Sequence, residues 1–188
     1  MLSNDCNAIE PGLLGCKSKS IMQTGEMAMI EPGRFTDCHD GPLVVFVIGM
    51  RINAFHKVGK WLPVARAMGP MIAELAANPD SGFLGAEPML KSMRTVCLIQ
   101  YWRDFDSLEA YARDREQKHW PAWTAFNKAV GSDGTVGIFH ETYCVPAGSY
   151  ETVYANMEPF GLARFTGRRA ASGNRAEARS RMNAGVKG

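Results

Sequence analysis

Apolar residues run unbroken from Leu43 to Ile48 and resume at Met50 and Ile52, in Leu-Val-Val-Phe-Val-Ile-Gly-Met-Arg-Ile-Asn53. A β-branched and aromatic run of this kind predicts a strand covered on both faces. The period then changes. Trp61, Val64, Ala65, Met68, Met71, Ile72 and Leu75 recur at three- and four-residue spacing, the single apolar stripe of an amphipathic helix. Pro63 suits the first turn of that helix and Pro70 should kink it, while Asn78-Pro-Asp-Ser-Gly82 ends it as a turn. Phe83–Leu90 and Arg94–Trp102 read as a hairpin around Lys91-Ser-Met93. A helix is expected from Asp106, a cap acceptor with Glu109 three residues on. Another is expected from about Pro121 to Val130, closed by Gly131. Strands at Thr135–Val145 and Tyr150–Met157 complete the pattern.

The predicted order is β-α-β-β-α-β with an extra terminal strand, a ferredoxin-like α+β domain over residues 41–162. One face of such a sheet takes the two helices, and an apolar opposite face calls for a partner, so a homodimer is expected. Residues 1–40 mix Gly, Pro, Ser, Asn and Cys without sustained periodicity and read as an extended arm, with Met27–Ile30 offering one short edge strand. Residues 163–188 carry Arg164, Arg168, Arg169, Arg175, Arg179, Arg181 and Lys187 against one acid, Glu177. The whole chain has a net charge of only +2, so the remainder is mildly acidic. Without interleaved aromatics the basic segment is expected to be a disordered, solvated tail rather than a nucleic-acid arm.

No window approaches the roughly 18 apolar residues of a membrane span, and the N-terminus lacks a basic segment followed by an apolar one. No membrane and no nucleic acid is expected as a partner, and the expected compartment is the cytoplasm. Cys6, Cys16, Cys38, Cys97 and Cys144 are odd in number and lack CxxC spacing, so they read as reduced. Neither a Gly-x-Gly-x-x-Gly fingerprint, a phosphate loop, HExxH nor a nucleophile elbow occurs.

Among chemistry-bearing residues, His119 stands just before Trp120-Pro121, where a helix start leaves backbone donors open. A neutral imidazole there can serve as base, donor or ligand; the competing reading is a capping histidine in the core. His140 and Glu141 lie on opposite faces of one strand, and a pairing with Arg51 or Arg94 would satisfy them structurally. Arg51 and Asn53 end an otherwise apolar strand face and suit a phenolate or carboxylate at a pocket mouth. Trp61, Trp120, Trp123 and Phe126 offer flat apolar surface, and Met50, Met68 and Met71 adaptable lining, although aromatics at helical spacing are more often core.

Gln100-Tyr-Trp-Arg-Asp-Phe-Asp-Ser-Leu-Glu-Ala-Tyr-Ala, His119-Trp-Pro-Ala-Trp and Gly137-Ile-Phe-His-Glu-Thr-Tyr, with Val47-Ile-Gly-Met-Arg-Ile-Asn53 upstream, carry a family likeness. They resemble the fungal and bacterial monooxygenase-like family of polyketide clusters such as the fumagillin cluster, over roughly residues 43–162. The resemblance implies a dimeric α+β barrel. In the wider superfamily, haem-degrading monooxygenases surround their substrate with a strand-end asparagine, a tryptophan and a helical histidine; by position these are Asn53, Trp102 and His119. The implied function is a small-molecule monooxygenase of secondary metabolism that acts on a small hydrophobic or aromatic substrate without an organic cofactor. His119 would be the base, and Asn53 and Arg51 would hold oxyanion charge. His119 should then face a closed apolar pocket between the first helix and the sheet, walled by Trp61, Trp123 and Asn53. The alternatives are a haem enzyme, as aldoxime dehydratases are, with His119 or His140 on the iron, and a non-oxidative cyclase, isomerase or binding protein.

Overall fold

In a computed structural model of the chain, residues 30–113, 124, 128 and 130–184 are described. β1 (Glu31–Asp37) is followed by β2 (Leu43–Ile52), α1 (Val58–Ala77), a 3₁₀ turn at Pro79–Ser81, and the hairpin of β3 (Phe83–Ser92) and β4 (Thr95–Trp102). After α2 (Phe105–Arg113) come β5 (Val136–Val145), β6 (Tyr154–Met157), α3 (Leu162–Thr166), β7 (Arg168–Ala170) and α4 (Ala178–Ala184). Thr124, Lys128 and Val130 are helical, and the rest of the helix expected at Pro121–Val130 lies outside the described residues, as do His119, Trp120, Trp123 and Phe126.

The main sheet is antiparallel in the order β3-β4-β2-β5, the ferredoxin-like arrangement. The unbroken apolar run is therefore an inner strand, flanked on both edges; the helices cover one of its faces, and the other is left partly open rather than covered as expected. Its even-numbered side chains face α1 and α2. Val44, Leu75, Trp102 and Leu108 form one core cluster on that side, and Met50, Ile52, Val64 and Val136 form a second. α1 begins three residues before the first stripe residue, so Pro63 and Pro70 both sit inside the helix. Both are exposed, which turns their rings and the carbonyls they leave free toward water.

The cap of α2 lies earlier than the Asp106 expected for it. Asp104 Oδ1 accepts the Ser107 backbone N–H at 2.7 Å, the geometry of an N-cap. Hydrogen bonds from the Ser107 hydroxyl, from Arg103 and from the Ser107 backbone hold the Asp104 carboxyl down at about 2.

The two chain ends depart furthest from expectation. Instead of one extra strand on the main sheet there is a second sheet, ordered β6-β1-β7, with β1 at its centre. Phe35 pairs with Tyr154 on one side and Ala170 on the other, so Glu31–Asp37, part of the stretch read as an arm, is an inner strand. The basic segment is not a free tail either. Leu162, Ala163 and Ala171 are buried, and Arg181 Nη2 meets Glu151 at 2.7 Å. Arg168 pairs with Glu31, Arg169 with Asp40, and Arg164 with the buried Glu87. The charge count missed this because Arg164, Arg168, Arg169 and Arg181 find their carboxylates in distant parts of the chain. Nor do the cysteines all stay reduced: Cys97 and Cys144 are free, but Cys38 is disulfide-bonded. Among the described residues no helix is long and apolar enough to cross a membrane, which says nothing of crossing by strands.

Candidate active site

Where α1 crosses the far end of the sheet, the two separate and leave a cleft of about 500 Å³. Alternation decides which side chains enter it. Ile48 and Met50 of β2, Leu98 and Val96 of β4, and Pro88 and Leu90 of β3 occupy paired positions on the helix side. α1 contributes Val64, Met68 and Ile72, with the small residues Ala65, Gly69 and Ala73 one turn apart along the rim. A Cβ added at Gly69 would meet nothing within 4 Å, so glycine there keeps the space open. Every side chain entering from these positions is apolar, and the volume suits a drug-sized molecule.

Few of the expected site residues meet here. Met50 and Met68 line the cleft, whereas Met71 does not. Trp102 is fully buried, its indole N–H donating to Gln100 Oε1 at 3.0 Å and its ring packed on Phe83 and Tyr111. It is a core residue beyond the reach of a ligand in the cleft. Trp61 is half-buried, donates to the Phe55 carbonyl at 2.9 Å and packs against the Met50–Val136 cluster. Arg51 and Asn53 point to the opposite side of the sheet. Arg51 lies against Thr95, and Asn53 donates from Nδ2 to the Gly134 carbonyl at 3.0 Å, tying strand end to loop. An exposed strand end accounts for both, and an anionic substrate finds neither within the cleft.

His140 lies on the helix side but on the edge strand β5. Its ring is 5.7 Å from that of Phe46, and it remains exposed. Glu141, on the other side, accepts a short hydrogen bond from Tyr143. Neither needs the arginine partner expected for a buried group, because neither is buried; Arg94 instead donates to the Asn53 carbonyl at 3.3 Å.

The opposite sheet face is half covered by the chain's own C-terminal segment. α3 lays Phe165 over Gly85, and the buried Glu87 accepts from Gly161 N at 3.0 Å. Burial, then the charge of Glu87, pushes the Tyr101 phenol up, and burial drives Tyr154 to about 12. Both stay protonated at neutral pH and cannot act as bases. Over β2 and β5 the same face is left open at Phe139 and Tyr143.

A haem would need an axial ligand, and the described cleft residues offer no imidazole or carboxylate, only the thioethers of Met50, Met68 and Met89 and the thiol of Cys97. The described residues therefore do not fit a histidine-ligated haem in this cleft. Among them no group of three or more His, Cys, Asp and Glu could hold a metal ion.

The family profile described as monooxygenase af470-like matches residues 43–162, the whole ferredoxin-like core. The chain belongs to the monooxygenase af470-like family. Monooxygenase af470 of Aspergillus fumigatus is 31% identical over 143 residues, which are 71% of this chain and 48% of that protein. The chain thus spans about half the length of the curated relative it matches. Among solved structures, an aldoxime dehydratase aligns with TM-score 0.57 at 17% identity, over 73% of this chain and 42% of that one. An aldoxime dehydratase in complex with butyraldoxime gives 0.58 at 17% identity, over 82% and 45%. At these identities the likeness establishes the fold alone. β7, α4 and all of α3 after Leu162 lie beyond the family match.

A pocket between the first helix and the sheet was expected, but its walls were sought among polar and aromatic candidates rather than in the gaps of the helix. The signal was present in the α1 stripe: Ala65, Gly69 and Ala73 recur every four residues on a helix whose other contact positions are large.

Proposed function

We propose that the chain is a monooxygenase of secondary metabolism that oxidises a neutral, hydrocarbon-rich small molecule in the cleft between α1 and the main sheet, without a bound organic cofactor. Membership of the family supports the reaction class, and the apolar cleft of about 500 Å³ carries the substrate reading. With the substrate as sole reductant, an activated methylene loses two hydrogens and gains one oxygen, R₂CH₂ + O₂ giving R₂C=O + H₂O, so atoms and electrons balance without a second donor. The protein must bind the substrate, exclude water and remove one proton. Apolar walls disfavour a charged ground state, so the substrate enters neutral and is deprotonated only once enclosed.

His119 is the proposed base. Replacing it with alanine is expected to lower turnover about a hundredfold while leaving the fold intact; turnover at the wild-type rate would remove the assignment. The chain is also proposed to work as a homodimer, with the uncovered β2–β5 part of the sheet face against its counterpart. Oxygen uptake with a panel of anthrones and hydroquinones tests the reaction. One O₂ consumed per product is the expected result. Product without oxygen consumption would mean a cyclase or isomerase, and a Soret band in the purified protein would mean a haem enzyme.

A further inference from the structure

Exposed apolar side chains gather at the end of the main sheet where the cleft opens. The tip of the β3–β4 hairpin carries Leu90 and Met93, 69% and 80% exposed. Beside it stand Val96, Phe55 and Val58, at 42%, 43% and 47%. Hydrogen bonds and stacking hold these segments together: Ile52 N donates to the Arg94 carbonyl at 2.7 Å, and the Arg94 guanidinium lies 5.6 Å from the centre of the Phe55 ring. Exposed cations surround the same tip, namely Lys91, Arg94, Arg51, Lys57 and Lys60. Asp133 pairs with Lys57 and Lys60 at 3.8 and 3.7 Å, while Lys91, Arg94 and Arg51 form no ion pair among the described residues.

We propose that this end of the domain docks on an anionic lipid surface, with Met93 and Leu90 entering the interface and the cations meeting the headgroups. Three features favour a bilayer over a protein partner. The tip's most exposed apolar residues, Leu90 and Met93, sit at the turn of a hairpin. Its rim is cationic, complementary to phosphate and serine headgroups. Leu90 and Val96 belong both to the exposed tip and to the cleft lining, so an apolar molecule dissolved in the bilayer meets the cleft mouth without crossing water. The lack of a spanning segment, from which the sequence reading expected no membrane partner, has no bearing on docking from outside.

Sedimentation of the full chain with vesicles tests this, using phosphatidylcholine alone and phosphatidylcholine with about 30% phosphatidylserine. The protein is expected to pellet with the anionic vesicles at low ionic strength, and to be released at about 0.5 M salt, where the screening length falls to a few ångströms. Lys91→Glu should weaken that partition about fivefold or more, the contribution of one cation near a charged bilayer. Met93→Ser should weaken it by a similar factor, and neither change should alter the melting temperature, because both side chains are exposed. A wild-type protein that stays in the supernatant with anionic vesicles, or a K91E/M93S double variant that sediments as well as wild type, would overturn the proposal. Neither residue lines the cleft, so failure here is separable from failure of the proposed reaction, which oxygen uptake on a soluble substrate reads independently.

Discussion

Replacing Phe165 with alanine removes the ring that covers Gly85 and tilts against Tyr101, with centroids 6.1 Å apart. The contact is close enough that a Cβ on Gly85 would fall 2.2 Å from the ring. Truncating a fully buried phenylalanine costs about 3–5 kcal/mol; Phe165 is half-buried, so about 2 kcal/mol is expected. In a chain of this length each kcal/mol moves the melting temperature by roughly 2–4 °C, which gives a decrease of about 4–8 °C by calorimetry or circular dichroism. A chain ending at residue 160 should lose more. It also removes the buried Leu162 and Ala163, while Glu87, losing the Gly161 N–H and Arg164, is left to water, so the decrease should exceed that of Phe165→Ala alone. If Phe165→Ala and the truncated chain both melt within about 1 °C of wild type, α3 is not docked and the segment is the solvated tail that its composition suggests.

Asp104→Ala removes the cap of α2 and should lower the melting temperature by about 2–4 °C at pH 7, the low end for a cap because the residue is largely solvated. The folded-state pKa of Asp104 is depressed, to about 2, so its stabilisation is fully present above the ordinary carboxylate range. The gap between the two proteins should therefore close as pH falls from about 4 to about 2, and a gap that persists at the lower value would rule out the carboxylate as its cause. Gly69→Leu should fill the cleft and cut binding of an apolar dye such as Nile red about tenfold. The same change should leave the melting temperature equal or higher, since glycine inside a helix costs about 1 kcal/mol; undiminished dye binding would place the ligand elsewhere. Light scattering should report a dimer, and a stable monomer at micromolar concentration would remove the pairing of open sheet faces.

The main sheet and its helices were legible in the sequence because their signals are local. Period two, period 3.6 and the turn at Lys91-Ser-Met93 each constrain a few neighbouring residues, and the family match over 43–162 coincides with this core. The apolar run at Leu43–Ile52 read as a strand covered on both faces; it lies between two other strands, with one face left partly open. The pocket was expected between the first helix and the sheet, where the cleft lies, yet Arg51 and Asn53 were assigned to it although alternation points them to the other side of the sheet. Trp102 shows the same limit: a tryptophan ending a strand reads alike whether it lines a cavity or fills the core, and only the approach of Leu75, Leu108 and Gln100 decided for the core. The second sheet lay furthest from view. β1 pairs with strands more than a hundred residues away, and Arg168, Arg169, Arg164 and Arg181 meet carboxylates at Glu31, Asp40, Glu87 and Glu151. Composition sees only that a segment is basic. Whether those charges remain in water or lock a strand into a sheet depends on which acids the rest of the fold brings beside them, and that is settled only by tertiary structure.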